Sequence, residues 1–394
     1  MVKSKDYLVK LQLAFVFLIP VIPHIELSKN LQLDDIPVLI FFALFAYNIF
    51  QKNIQNFYLK ESIPLIIYFF YIVIQNYFIN NNLFFSDGYR YFFYWSLFVT
   101  VLNIKNLKFL NKYFYFLLIF MTLFSIFSYF FKIDLGVDSY NYWKIGFNSN
   151  SWIFTDGRIN GFQAGGPNAF GGIITCLALY CIPKLTGLKK DLIIFLSILG
   201  CFFTYSRAAL IVFLLFTVVY LLFKKEYMRN LTILLALLVT INFGLIERFT
   251  SEVETEGVED RIQMQQATFK DINSRSIQDN IFGYGFGNVG IVRDELKSIS
   301  EFSDDLRPTS PHNSFLFVVL NYGIVGLLLF FNIFLKEFII FLNLFKENII
   351  KSNFLFLGSF VALSFSGDFI QNHSISVLFF LVFFKLKSEK FHEQ

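Results

Sequence analysis

The chain has 394 residues, of which 56% are hydrophobic, 20% aromatic and only 16% charged, with a mean hydropathy of +0.57. Apolar runs recur along its whole length, at sizes that suit a hydrocarbon core about 30 Å thick; this excludes a water-soluble globular protein and indicates an integral membrane protein. The formal net charge of +4 is modest and gives no basis for a nucleic-acid partner.

Lys3, Lys5 and Lys10 lead into the first apolar stretch, and Pro20, Pro23 and His24 follow it where a small-residue cleavage site would stand. An uncleaved first span is therefore expected over roughly 11–25. Further spans are expected over roughly 36–50, 63–79, 89–104, 109–131, 167–185, 192–205, 208–223, 231–246, 313–334, 353–367 and 374–386. The expectation is an all-α polytopic membrane protein of about twelve transmembrane helices. It is read as a single integral domain over 1–394. Cys176, Cys181 and Cys201 fall inside these spans; their spacing matches no metal motif and they read as small core residues.

Charge sets the topology. Alternate connections carry Lys52/Lys60, Lys105/Lys108/Lys112, Lys184/Lys189/Lys190, Lys224/Lys225/Arg229, Lys336/Lys346/Lys351 and Lys385/Lys387/Lys390, all basic. The intervening connections carry Glu26/Asp34/Asp35, Asp87 and Asp368, together with two long mixed segments. By the positive-inside rule both termini are cytoplasmic and the long segments, 132–166 and 247–311, face outside. The first is rich in rings (Tyr140, Tyr142, Trp143, Trp152), which suit either sugar stacking or an interfacial aromatic belt. In the second, an acidic run from Glu252 to Asp260 precedes an amphipathic helix over 261–269, and Gly283, Gly285 and Gly287 then form a glycine-rich turn. No strand-helix-strand unit surrounds those glycines, so close backbone packing beside a site is the expected role rather than nucleotide binding.

Several polar residues fall at the outer ends of spans. Arg207, in Tyr205-Ser206-Arg207-Ala208, sits in a very short break between two spans. His312, in Pro311-His312-Asn313-Ser314, stands at the mouth of the next long apolar run. Its unperturbed pKa near neutrality suits it to take and return a proton. Arg261 opens the loop helix, and Arg158 and Asn168 lie on the same side in the earlier segment. Asn313 and Asp368 are weaker candidates. Two arginines can fork onto a diphosphate, and the chain has no Asp-x-Asp pair and no His-x-x-x-His spacing, so neither a metal nor another cofactor is expected. The natural anion at an outer membrane face is the diphosphate of a polyprenyl-linked sugar, with His312 as the base for an attacking hydroxyl. Blander roles stay open: a snorkelling anchor for Arg207, an ion pair with the acidic run for Arg261, a helix cap for His312.

Gly283-Tyr284-Gly285-Phe286-Gly287, Pro311-His312-Asn313-Ser314-Phe315-Leu316 and Asn321-Tyr322-Gly323-Ile324-Val325-Gly326-Leu327, with Ser206-Arg207-Ala208 and the stretch from Gly161 to Asn168, resemble the core signature of the O-antigen ligase and polymerase family. The resemblance covers about the last 240 residues; residues 1–130 match only as apolar spans. It implies a glycosyltransferase C-like helical fold with two long periplasmic loops. It also implies an undecaprenyl-diphosphate-linked glycan donor, and inverting, metal-independent transfer at the periplasmic face of the bacterial inner membrane. Carried over, Arg207 and Arg261 would hold the diphosphate and His312 would activate the acceptor. The chain departs from the family at Phe269, where tryptophan is common, and at Asn321, where glutamate is frequent.

Two long outer segments rather than one dominant loop favour a polymerase, which adds the growing glycan to another lipid-linked repeat unit. A ligase would pass it to the lipid A core, and a flippase would instead show repeat symmetry between halves. The partners expected are the lipid-linked glycan, membrane lipids and a chain-length regulator.

Overall fold

The computed structural model describes residues 2–23, 25–28, 31–80, 86–104, 106–139, 143–148, 158–162, 166–244, 246, 262, 265–266, 268–285, 313–347, 352–366 and 373–393. Helices dominate. In chain order they are α1 (Val2–Val16), α2 (Asp35–Phe50), α3 (Leu59–Asn80), α4 (Ser86–Leu102), α5 (Lys108–Phe131), α6 (Gly166–Cys181), α7 (Gly187–Phe203), α8 (Arg207–Phe223), α9 (Arg229–Ile241), α10 (Ile277–Phe282), α11 (Ser314–Glu347), α12 (Ser352–Ser366) and α13 (His373–Glu393). Among the described residues, four stretches, Leu59–Ile79, Lys108–Phe131, Gly166–Lys184 and Ser314–Lys336, are long and apolar enough to cross a membrane. The hydrocarbon-facing side is explicit on α3. Ile63, Ile67, Phe70, Ile74 and Phe78 recur at helical spacing and all are exposed, an arrangement stable only where the solvent is lipid.

The helix set follows the apolar runs, with two differences. The first helix lies earlier than the expected 11–25, ending at Val16, because Pro20 and Pro23 cannot continue a helical ladder. The fold is also not purely helical. Strands β1 (Glu26–Ser28) and β2 (Leu31–Gln32) pair antiparallel, and β3 (Asp134–Ser139), β4 (Trp143–Asn148) and β5 (Arg158–Asn160) form a three-stranded antiparallel sheet within the segment read as a loop. Its signal is the period-2 alternation of Trp143-Lys144-Ile145-Gly146-Phe147-Asn148, with Ile145 and Ile159 buried. Lys132 ends α5 in the left-handed conformation, and its ammonium lies 4.4 Å and 4.0 Å from the Tyr129 and Phe147 ring centroids.

The chain divides into two compact units. The first comprises Met1–Phe57, Leu97–Thr250 and Ile340–Gln394. Its centre is α6, buried along nearly its whole length against α5, α7, α8 and α12. Close approach there depends on small residues: a Cβ on Gly200 would stand 3.1 Å from Thr122 Cγ2, and one on Gly358 would stand 2.6 Å from Phe216 Cγ. A buried amide chain joins its early helices, with Asn48 donating to Gln12 at 3.0 Å and Gln12 donating to Thr100 at 3.1 Å.

The second unit comprises Tyr58–Ser96 and Ser251–Ile339. Its core is aromatic. The fully buried Tyr68 meets Tyr91 edge-on at 4.6 Å and lies 6.2 Å from Tyr322 and 5.8 Å from Phe330.

Candidate functional site

Arg207 is the first residue of α8, half-buried, and only Thr204, Tyr205 and Ser206 separate it from α7. The turn is made by Tyr205 at φ 59, a left-handed conformation that costs a non-glycine residue about 1–2 kcal/mol. Ser206 precedes the helix with extended backbone but makes no capping hydrogen bond, and its hydroxyl is buried without a hydrogen-bond partner among the described residues. Serine is a preferred N-cap, so a serine there that does not cap is informative. A guanidinium at a helix start also opposes the helix dipole, by about 0.3–1 kcal/mol. Backbone N–H groups without a side-chain cap, an arginine and an unbonded hydroxyl at one helix start all suit a bound anion.

The turn is held by α6. A Cβ on Gly171 would meet Ser206 Cβ at 2.8 Å, Thr204 Oγ1 at 2.8 Å and Ala209 Cβ at 3.1 Å. One turn further along α6, Thr175 Oγ1 donates to Ala209 O at 3.2 Å. Asn168, half-exposed, lies one turn before Gly171 in the same helix. The structure thus joins two segments far apart in sequence, the glycine/Pro-Asn start of α6 and the Ser206-Arg207 turn. Arg158 opens β5, paired in register with Asn148, and β5 packs on α5 and α6.

Asn313 shows the opposite arrangement at the start of α11. It is 8% exposed, and its Oδ1 accepts from Phe315 N at 3.0 Å and Leu316 N at 3.2 Å. Asn313 is the N-cap, a contribution of about 1 kcal/mol. The capping role held open for His312 is therefore filled by its neighbour. His312 itself, Arg261 and Asp368 lie outside the described residues, as do Tyr140, Tyr142 and Trp152.

Helix α11 is two helices joined at Gly323, whose φ of 67 and ψ of −171 break the ladder. The break leaves the carbonyls of Leu320, Asn321 and Tyr322 to be satisfied from outside. Tyr284 N donates to Leu320 O at 3.0 Å and Gly285 N to Asn321 O at 2.9 Å. Gln75 of α3 donates from Nε2 to Asn321 O at 2.7 Å and also to Phe282 O, and Tyr71 OH donates to Tyr322 O at 2.6 Å. Contact is backbone on backbone: a Cβ on Gly283 would stand 2.4 Å from Asn321 O, and one on Gly323 would stand 2.3 Å from Ile281 O. Both glycines have positive φ, so side chains are doubly excluded. The close backbone packing expected of the glycine-rich turn is seen at Gly283; Gly287 lies outside the described residues.

Arg275 locks the same turn from behind. It forks onto Asp271, with Nε at 2.7 Å, and its guanidinium lies 3.6 Å from the Tyr284 ring centroid. The side chains of this pair are only 1% and 4% exposed. Helical residues 268–274 carry Asp271, so the loop helix extends beyond the expected end at 269. Asn321, where the family often has glutamate, is buried and donates to Phe317 O at 2.8 Å within its own helix.

Gln75, Tyr71 and Arg275 were not singled out from the sequence. The available signal was Gln75-Asn76, two amides inside an otherwise apolar span, since polar groups at membrane depth are functional by default. Gln75 Oε1 is buried with no hydrogen-bond partner among the described residues, at a cost of about 1–3 kcal/mol.

Residues 192–331 match a family model described as O-antigen ligase. The matched stretch contains the starts of both α8 and α11, and both partners of the Gly283–Gly323 contact. Gly171, Tyr71 and Gln75 lie outside it in sequence, yet contact parts of it. Comparison with curated proteins finds no significant match. The apolar helices and the match to the O-antigen ligase model together support a membrane protein of the O-antigen ligase and polymerase type.

Proposed function

We propose that the chain polymerises lipid-linked oligosaccharide repeat units of an O-antigen, capsule or exopolysaccharide. It transfers the growing glycan from undecaprenyl diphosphate to another lipid-linked repeat unit at the periplasmic face of the inner membrane, with both termini cytoplasmic. The observation that carries the reading is the start of α8, where Arg207 stands beside N–H groups and a Ser206 hydroxyl that, among the described residues, have no side-chain cap and no hydrogen-bond partner respectively. In this reading Arg207 and Arg261 neutralise the diphosphate, with Arg158, Asn168, Asn313 and Asp368 in supporting positions. His312 takes the proton of the acceptor hydroxyl. The acceptor oxygen then bonds to the anomeric carbon as its bond to the diphosphate oxygen breaks. The diphosphate leaves on the lipid, and the anomeric centre inverts. Arginines carry the neutralisation, so no metal takes part.

The match to an O-antigen ligase model supports a second reading, transfer to the lipid A core. The surface glycan ladder of a deletion strain decides between them. Loss of long chains with a single repeat still on the core identifies the polymerase. Loss of all repeats, with long lipid-linked chains accumulating, identifies the ligase and overturns the first reading. An unchanged ladder overturns both.

A further inference from the structure

An unbroken helix satisfies its own carbonyls, so α11 would need no help if it ran straight. Instead the chain keeps the break at Gly323 and closes it with groups from elsewhere: the backbone of Tyr284 and Gly285, the hydroxyl of Tyr71 and the amide of Gln75. Gln75 is the keystone. An amide nitrogen has two protons, and both are used, one on Asn321 O and one on Phe282 O. It therefore ties the end of the α11 half-helix to the glycine turn at a single point, from a span outside the stretch that matches the O-antigen ligase model. The broken segment is short, from Ser314 to Tyr322, and its other end is the Asn313 cap that directly follows His312 in sequence. A short helix fixed at both ends holds its start more tightly than a long helix free to bend.

We propose that Gln75 is a positioning residue for glycan transfer, acting through the Gly283–Gly323 backbone clasp to set the start of α11. The proposal rests on the reading of His312 as the base. Gln75 touches neither donor nor acceptor in this scheme, so its loss affects the chemical step and leaves donor binding intact.

The test uses the purified full chain in phospholipid vesicles. The donor is the undecaprenyl-diphosphate-linked repeat unit extracted from a strain lacking this chain. Initial rates are measured against donor concentration and pH. Gln75→Leu is expected to lower kcat about 100-fold, as for a displacement near 1 Å, with KM for the donor unchanged. Gln75→Glu sharpens the test. Its carboxylate faces two carbonyls and repels them, whereas the protonated carboxyl donates to one. The activity of Gln75→Glu relative to the unaltered protein therefore rises as pH falls, although the unaltered protein slows as His312 protonates. Rates are taken per folded molecule, because a role in mere stability predicts a rescue in the amount of folded protein and an unchanged kcat.

Wild-type kcat in an inserted Gln75→Leu overturns the proposal, and so does a raised KM with kcat unchanged. If Gln75→Leu does not accumulate in the membrane, Tyr71→Phe carries the test by deleting one hydroxyl of the same clasp. A fall of about tenfold in its kcat supports the proposal, and an unchanged kcat overturns it. His312→Ala is measured alongside. Full activity there overturns the base reading and this proposal with it. An inactive His312→Ala beside an unaffected Gln75→Leu overturns the positioning role alone.

Discussion

The starts of α8 and α11 have opposite fittings. At α11, Asn313 turns its side chain onto the N–H groups of Phe315 and Leu316 and closes the end. At α8, Ser206 is of an equally suitable type but, among the described residues, the N–H groups have no side-chain cap and its own hydroxyl no hydrogen-bond partner, with Arg207 next in line. Helix N-termini are anion sites by default, and the capping residue decides whether that capacity is spent inside the protein. A closed end is a rigid mount for what precedes it. The starts of α2, α5, α7 and α9 also lack a side-chain cap; it is Arg207 and the buried Ser206 hydroxyl that suit the start of α8 to an anion, as a socket. Residue type alone does not separate them, because Ser and Asn rank together as caps.

Substitutions can break this contrast. The largest effect is expected at the residue the closed end carries: His312→Ala abolishes transfer while the protein still inserts. Normal glycan length with normal expression would sink the base assignment. Next comes the socket. Arg207→Lys keeps the charge and loses the two-point fork, so activity should fall about tenfold to 100-fold, measured as repeat units transferred per minute. Activity equal to the unaltered protein would make Arg207 a simple anchor.

A paired measurement sharpens the comparison. Asn313→Ala should lower stability by about 1 kcal/mol, read as a reduced unfolding temperature, because it removes a working cap. Ser206→Ala should leave the unfolding temperature unchanged, because no cap is lost, and should weaken donor use by a fewfold in KM. Equal losses of stability at both positions would refute the distinction between mount and socket.

The smallest effect is expected far from either start. Glu389 accepts from Lys184 at 2.9 Å and from Lys385 at 2.6 Å. Burial works to raise its carboxyl, but the hydrogen bonds and charges of the two lysines outweigh this and hold it below the usual carboxylate range. A lowered folded pKa contributes stability above the unfolded value and loses it as pH falls through the folded one. Glu389→Gln should therefore lower the unfolding temperature slightly near neutral pH, and the gap should close in acid. A gap that widened in acid would contradict the assignment.

The two units also differ in how legible they were. Apolar runs located the helices of both, because hydrocarbon demands long apolar segments wherever they later pack. The three-stranded sheet was missed because its strands are short and interrupted by turn residues, and its ring-rich composition suggested a belt. Arg207 and Asn313 stood out as polar groups at span ends, and the short break at 204–206 appeared where expected. The contact of Gly171 with the Ser206 turn was not visible, since nothing local in either segment specifies the other.

The sequence by itself determined the membrane as solvent, the placement of most helices, the O-antigen ligase signature and the polar residues worth testing. These follow from hydropathy, charge and local capping, all short-range along the chain. Tertiary structure alone decided that Gly283 meets Gly323, that Gln75 donates to both sides of that contact, and that Asn313 caps while Ser206 does not. The first two depend on carbonyls and N–H groups brought together from distant segments, whereas the caps are local choices between two residue types of equal rank. A backbone group carries no side-chain identity for a sequence to display, so its partner becomes known only once the chain is folded.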